Sequence, residues 1–218
     1  MCGRYTLFDI DQLEARFRTE NSLRVAASFN VAPGAEMPTI SRQSPNRMVL
    51  RRWGLVPFWA KDPRVGYKLI NARGETVGQK PAFRKAIRSQ RCLVPADGFY
   101  EWKRVGERKQ PFYIRLKSKA TFGMAGIYDI WEGAGKFTIE SYSIITTKAN
   151  KLMRGIHERM PVIIKPKDEA TWLDPKTPLS EALVLLRPFP GSQMEAFEVS
   201  AQVNNARNNT ADLIQPIA

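Results

Sequence analysis

The chain has 218 residues, of which 43% are hydrophobic, enough for one large or two small domains with a real core. It contains no long uncharged apolar run, and acidic residues interrupt its N-terminal stretch, so we expect neither a membrane span nor a secretory leader. With 34 Lys and Arg against 21 Asp and Glu, the net charge is +13, which favours a polyanionic partner, above all nucleic acid, over a generic charge for solubility.

No repeat and no Gly/Ser-rich linker divides the chain, so residues 1–218 are predicted to form a single domain. A helix is predicted over residues 9–18, where Leu13 and Phe17 share a face, and Pro81 begins another. The later predicted helices cover 168–173 and 179–186. The predicted strands cover 47–53, 92–94, 99–104, 111–116, 121–130, 137–146, 160–164 and 194–199.

Short turns join the central strands. Strands 99–104 and 111–116 meet at Val105-Gly106-Glu107, and the next pair meets at Gly133-Ala134-Gly135. Hairpins of this kind pair their strands antiparallel. We therefore predict an α+β fold, with a largely antiparallel, barrel-like β core flanked by short helices.

The second residue, Cys2, is a candidate nucleophile. Loss of Met1 would give it a free α-amine (reference pKa about 7.7–8.0) beside its thiol (about 8.5). An aldehyde would form a Schiff base with this amine, and the thiol would then close a five-membered thiazolidine. The alternative is a frayed terminus without a role. Cys2 and Cys92 are the two cysteines, so reduced thiols in an intracellular protein are the simpler interpretation.

Three further positions could support such chemistry. His157 is the only histidine, hence the only imidazole able to exchange protons near neutral pH, although an exposed loop histidine fits the same pattern. Glu101 lies in an aromatic strand where its pKa could be raised, unless it faces solvent. Asn71 and Arg73, two apart on an extended segment, would point the same way, with the arginine suited to a phosphate; an ordinary turn is the alternative.

Aromatic and basic segments could contact a nucleic acid. Residues 30–34 and 53–59 are predicted loops with prolines and aromatics that could stack on bases, although Trp53 is expected in the core. Residues 80–91 contain several basic and no acidic residues, and they are predicted to form either a solvated helix face or a contact to backbone phosphates. One histidine and two cysteines do not supply the usual zinc ligand sets, so we expect no metal and no cofactor.

Taken together, six ordered segments resemble the SRAP family of SOS-response-associated peptidase proteins, which process abasic sites in DNA. The resemblance extends over nearly the whole chain, up to residues 206–215. The segments are Met1-Cys2-Gly3-Arg4-Tyr5, Asn30-Val31-Ala32-Pro33, Trp53-Gly54-Leu55-Val56-Pro57, Asn71-Ala72-Arg73-Gly74-Glu75-Thr76, residues 91–102 and Ile156-His157-Glu158-Arg159-Met160-Pro161.

The resemblance implies that the protein captures abasic sites in single-stranded DNA through the aldehyde of the ring-opened deoxyribose. Cys2 would be the nucleophile and the covalent attachment point, and Asn71 would orient it. Glu101 would assist ring opening and proton transfer, and His157 would donate to the sugar. Residual β-elimination would give a lyase activity, and removal of Met1 would account for the peptidase in the family's name.

The resemblance also implies DNA contacts. Arg4 and Arg73 would hold the flanking phosphates, with Thr146 and Arg159 as further candidates for binding DNA. Pro33, Phe58 and Trp59 would lie at the kink where a duplex meets the single strand. We expect a monomer in the cytoplasm, associated with the nucleoid when it is bound to DNA, and no membrane partner.

Two other functions fit the same residues. The first is an N-terminal-cysteine peptidase that acts on other polypeptides; it would use Cys2, Glu101 and His157 but would need neither Arg73 nor the positive charge. The second is a non-covalent single-strand-binding module, whose binding would be indifferent to the abasic site and to Cys2.

Overall fold

The computed structural model describes residues 2–42, 46–135 and 137–217, and these ranges contain thirteen β-strands and four α-helices. The strands are β1 (Arg4–Leu7), β2 (Ser28–Val31), β3 (Glu36–Arg42), β4 (Asn46–Trp53), β5 (Asn71–Arg73), β6 (Arg91–Ala96), β7 (Gly98–Val105), β8 (Arg108–Leu116), β9 (Phe122–Glu132), β10 (Thr138–Lys148), β11 (Arg159–Pro161), β12 (Ile163–Ile164) and β13 (Met194–Glu198). The helices are α1 (Leu13–Phe17), α2 (Ala86–Ser89), α3 (Glu169–Leu173) and α4 (Leu179–Val184). Short 3₁₀ turns cover Pro63–Lys68, Met153–Gly155, Pro166–Asp168, Gly191–Gln193, Ala201–Asn204 and Ala211–Ile214.

The strands form two sheets. The five-stranded sheet has the order β13-β8-β7-β1-β2, and all of its pairs are antiparallel. In the eight-stranded sheet, β9 pairs with both β6 and β10, so β10, β4, β3, β6 and β9 close into a ring of five strands. Strands β4 and β5 run parallel to β10. The predicted α+β class with a largely antiparallel, barrel-like core is therefore confirmed.

The main hydrophobic cluster joins residues from both sheets. At its centre the hydroxyls of Tyr5 and Tyr142 lie 2.7 Å apart, and Trp53 packs edge-on against Tyr5. Strand β7 is buried on both faces at its start, because Phe99 belongs to this cluster whereas Tyr100 belongs to a second one. Trp53 is in the core, as the sequence predicts.

Close packing explains the glycine at the start of β7. A Cβ at Gly98 would lie 2.3 Å from the ring of Tyr113, whose hydroxyl is 2.8 Å from that of Thr6. Any side chain at position 98 would push the ring of Tyr113 out of its place in the five-stranded sheet. Gly98 lies on β7, the strand that also carries Glu101.

A second close approach shapes the aromatic loop after β4. Gly54 has φ +121°, and a Cβ there would lie 2.7 Å from the carbonyl oxygen of Gly66. The reverse contact is equally tight, since a Cβ at Gly66 would lie 2.6 Å from the Gly54 oxygen. Two glycines thus let the backbones of the loop and the following 3₁₀ turn touch directly.

The predicted strands and both hairpins are confirmed, whereas the helix predictions are partly wrong. Helix α1 covers Leu13–Phe17 instead of 9–18, because a tight turn from Ile10 O to the Leu13 N–H precedes it and Arg18, with a left-handed φ of +51°, ends it. The segment after Pro81 forms turns, and helix begins only at Ala86. No helix in the described ranges is long and apolar enough to cross a bilayer.

Three strands were not predicted from the sequence: β1, β2 and β3. Asn30 and Val31, which were predicted to lie in a loop, belong to β2. Asn71-Ala72-Arg73 was predicted to be extended, and it forms β5.

Candidate functional site

Cys2 lies just before β1 and is completely buried. Its carbonyl oxygen accepts a 2.8 Å hydrogen bond from Nδ2 of Asn71, the first residue of β5. Burial raises the pKa of the Cys2 thiol far above its usual range, and the negative charge of Glu101 raises it further. The thiol is therefore protonated at neutral pH.

Glu101 does not face solvent, contrary to the alternative interpretation of its strand. The residue is 2% exposed, and burial raises the pKa of its carboxyl group. The positive charge of His157 acts in the opposite direction, which places the imidazole within electrostatic range of the carboxylate. A buried carboxyl group with a raised pKa is suited to give and take protons near neutral pH.

His157 is half-buried and follows the 3₁₀ turn Met153–Gly155. Its Nδ1 lies 3.0 Å from the backbone nitrogen and 3.3 Å from the carbonyl oxygen of Arg159. The turn itself is anchored by Asn150, whose Oδ1 accepts from the Met153 N–H. The backbone thus holds the imidazole in place through Nδ1 and leaves Nε2 for another partner.

These contacts bring all four predicted catalytic positions together. Glu101 and His157 line a cavity of about 550 Å³. Three residues that the sequence analysis missed complete the lining: Trp102, Lys109 and Asn204. The Trp102 Nε1 donates to Oδ1 of Asn204 at 2.7 Å. Asn204 is more than one hundred positions away from Glu101, and no motif marks it in the sequence.

Arg4, a predicted phosphate contact, is engaged inside the protein. Its Nη1 donates to Val203 O at 2.7 Å and to Oδ1 of Asn30 at 3.1 Å. Asn30 is buried, and its Nδ2 donates to the carbonyls of Val203, Asn205 and Asn208. Together the two side chains hold segment 203–208 beside the cavity, and Arg4 remains a predicted DNA contact.

The remaining polar candidates divide into exposed and buried ones. Arg73 is exposed and lines a second groove of about 510 Å³ with Lys148 and Arg154. Arg159 is 8% exposed and forms two bonds, of 2.9 and 3.1 Å, to the Glu75 carboxylate.

Thr146 has no exposed surface, and its Oγ1 accepts from the guanidinium of Arg159. In this structure, Thr146 and Arg159 support β5, the strand that carries Asn71. The residues that hold them, above all Glu75, were not found from the sequence, because the Glu75–Arg159 pair spans 84 positions. Their contacts to DNA stay predictions.

The predicted stacking residues are on the surface. Phe58 is 48% and Trp59 54% exposed, and the Lys85 ammonium lies 3.7 Å from the centroid of the Phe58 ring. The turn that contains Pro33 adjoins the start of this loop, because the Gly34 N–H donates to Trp53 O. In the basic run, by contrast, Arg91 is 3% exposed and donates to backbone carbonyls of the neighbouring helices, including that of Asp174.

The described residues show no group of three His, Cys, Asp or Glu side chains arranged to bind a metal ion. Both cysteines are buried free thiols.

The family model described as SOS response associated peptidase (SRAP) matches residues 1–206. The chain belongs to this family.

Among its relatives, the chain is similar to the abasic site processing protein YoqW of Bacillus subtilis (strain 168), with 46% identity over 222 residues and 99% of each chain covered. It is also similar to the abasic site processing protein HMCES of Xenopus tropicalis, with 33% identity over 235 residues. This alignment covers 92% of this chain and 69% of that protein. A crystal structure of a protein from Bacteroides thetaiotaomicron matches the fold with a TM-score of 0.92 at 29% identity, over 100% of both chains.

Proposed function

We propose that this protein processes abasic sites in DNA by forming a covalent crosslink through Cys2. The single observation that carries the proposal is that Cys2, Asn71, Glu101 and His157 lie together. Asn71 donates to the Cys2 carbonyl, Glu101 interacts electrostatically with both Cys2 and His157, and Glu101 and His157 line one cavity. The names of the relatives YoqW and HMCES point to the same substrate.

The proposed chemistry requires Cys2 as the first residue. Hydrolysis of the Met1–Cys2 peptide bond consumes one water and frees the α-amine. The amine then attacks C1′ of the ring-opened deoxyribose, a C–N bond forms, and one water leaves to give the imine. Finally the thiol sulfur adds to the imine carbon and the nitrogen gains a proton, which closes the thiazolidine. The ring-closing step is balanced in protons, because the thiol loses one proton and the nitrogen gains one.

Burial of the thiol supports the order of these steps. A protonated thiol is a weak nucleophile, so the amine reacts first and the sulfur follows once the imine is held beside it. Glu101, with its raised pKa, protonates the carbinolamine hydroxyl, which leaves as water, and the resulting carboxylate then accepts the thiol proton and passes it to the nitrogen. His157 donates from Nε2 to the sugar oxygen, which favours the open aldehyde.

Asn71 fixes the attacking group. Its Nδ2 holds the Cys2 carbonyl, and its Oδ1 is a buried acceptor for which the described residues supply no hydrogen-bond donor. A sugar hydroxyl or the freed α-amine would satisfy this oxygen. The net charge of +13 supplies sequence-independent affinity for the DNA backbone, while the aldehyde supplies selectivity for the lesion.

The test uses a single-stranded oligonucleotide with one abasic site and a denaturing gel. Wild-type protein should give a shifted band, and Cys2→Ala should not. Cys92→Ala is the matched control, because it removes the other buried thiol and should leave the band intact. A band that persists in Cys2→Ala, or no band with wild type, would overturn the proposal. Turnover of peptides without a DNA adduct would instead indicate the peptidase.

A further inference from the structure

The hairpin that carries Glu101 continues beyond the cavity as an exposed arm. We define the cationic arm as residues 103–109, the tip of β7 and β8, all of which are exposed. It contains four cations, Lys103, Arg104, Arg108 and Lys109, against one acid, Glu107. Among the described residues, none of the four cations forms an ion pair or a side-chain hydrogen bond. The arm therefore presents four unneutralised charges to solvent.

The pairing of the two strands makes this charge costly for the protein alone. Arg104 lies directly opposite Lys109 in the antiparallel register. Directly opposed side chains share a face of the hairpin, and like charges in such pairs destabilise it. An acidic residue at either position would remove the cost. The arrangement therefore favours a polyanion that lies along this face.

The arm leads to the reaction site. Strand alternation places Trp102 on the face of Arg104 and Lys109, opposite to the face of Glu101. The cavity nevertheless reaches both faces of the hairpin, because Trp102 and Lys109 line it together with Glu101. From Glu101 to Arg104 the strand rises about 10 Å. A DNA strand that places its abasic sugar beside Glu101 would thus carry its neighbouring phosphates to the arm.

We propose that the cationic arm binds the phosphodiester backbone on one side of the abasic nucleotide, with Arg104 and Lys109 as its principal phosphate contacts. The inference rests on the proposed function, which supplies the DNA substrate. It adds the path of the DNA strand, which the residues of the reaction site do not define. The arm contributes to binding and does not take part in the covalent steps.

The test compares two double variants that remove the same charge. Arg104→Gln/Lys109→Gln alters the arm, and Lys117→Gln/Lys119→Gln alters exposed residues just beyond the opposite end of β8. Binding is measured by fluorescence anisotropy with a single-stranded oligonucleotide that carries a non-reactive abasic analogue, over a series of salt concentrations. The crosslinking rate is measured separately at saturating concentrations of reactive DNA.

The arm variant should reduce the slope of log K against log salt by about 1.4, since each single-strand phosphate contact contributes about 0.7. Because Lys109 also lines the cavity with Glu101, the rate at saturation is compared for Arg104→Gln alone, which should crosslink at the wild-type rate. The control should match wild type in both measurements. With two oligonucleotides, each extended on only one side of the lesion, the arm variant should lose affinity for one and bind the other as wild type does.

An arm variant with the wild-type slope, or one that shifts no more than the control, would overturn the inference. Such a result would indicate that the arm binds a different partner, such as an acidic protein. Failure of the proposed function looks different, because wild-type protein would then give no crosslink at Cys2 whatever the arm does.

Discussion

Glu101 and Cys2 are two ionisable groups that the fold buries side by side. Each raises the energetic cost of ionising its neighbour, because both would be negative. In a purely structural site such a pair would be replaced by apolar side chains at little cost. The proposed chemistry, which moves protons between the two groups, would account for the presence of this pair beside an imidazole and an amide.

Glu101→Gln should separate catalysis from stability. Loss of the proton carrier should slow crosslinking about 10²-fold or more, measured at saturating DNA. Because burial raises the pKa of Glu101 above its ordinary value of 4.5, the folded protein holds this proton more tightly than the unfolded chain. The free energy of unfolding therefore falls as pH rises from the unfolded pKa through the folded pKa.

Glu101→Gln has no carboxyl group at this position, so it does not lose stability in this way as the pH rises. At neutral pH its melting temperature should equal or exceed that of wild type, and the difference should vanish well below the ordinary carboxyl pKa. A variant that is less stable than wild type at neutral pH and equally stable in acid would contradict the assigned direction of the shift.

Asn71→Ala should act on the reaction rate and not on DNA affinity. The substitution removes the donor to the Cys2 carbonyl, a loss of about 1 kcal/mol or roughly fivefold in rate. Crosslinking rate against DNA concentration measures both quantities. Asn204→Ala, which also removes one amide at the cavity but leaves Cys2 untouched, is the control. A rate equal to that of the control would show that Asn71 has no positioning role.

At the scale of elements, the success of prediction depended on local signals. The β7–β8 and β9–β10 hairpins were predicted because alternation and turn residues lie within one short stretch. Strands β1 and β2 have four residues each and pair with partners far along the chain, so no local pattern marks them. The helix predicted over 9–18 was too long, since it begins only at Leu13 and ends where Arg18 adopts a left-handed φ of +51°.

Asn30 illustrates an element-scale role that its motif does not reveal. Its amide binds three carbonyls of the C-terminal segment and accepts from Arg4. Asn30→Ala should lower the free energy of unfolding by about 1–3 kcal/mol, because it removes the donor to the partly buried carbonyls of Asn205 and Asn208 and an acceptor of Arg4. Chemical denaturation measures the loss, and hydrogen exchange should show faster exchange over residues 203–208. Unchanged exchange there would contradict the assignment.

For the whole molecule, the sequence indicated which residues the fold brings together around Cys2 better than it indicated which polar and basic residues are exposed. The motifs marked Cys2, Asn71, Glu101 and His157, and the fold brings them together. They did not reveal that Thr146 and Arg159 are buried or that Lys109 reaches the cavity. Burial and cavity lining depend on strands that meet only in three dimensions, and no local pattern encodes them.

The charge of the whole molecule predicts how binding responds to salt. If the DNA contacts at least four phosphates, log K should fall with log salt with a slope of about −3. Undamaged single-stranded DNA should give a similar slope, because phosphate contacts do not recognise the lesion. Titration of both oligonucleotides across a salt series measures it. A slope near zero would contradict a role for the net charge of +13.

The most direct test of the central claim is the mass of the crosslinked protein after nuclease digestion, with and without borohydride. We predict a protein that lacks Met1 and carries the sugar fragment on Cys2 with the loss of one water. Borohydride should not change this mass, because a thiazolidine, unlike an imine, has no C=N bond to reduce. An adduct on a chain that retains Met1, or one that gains two hydrogens on reduction, would contradict the account.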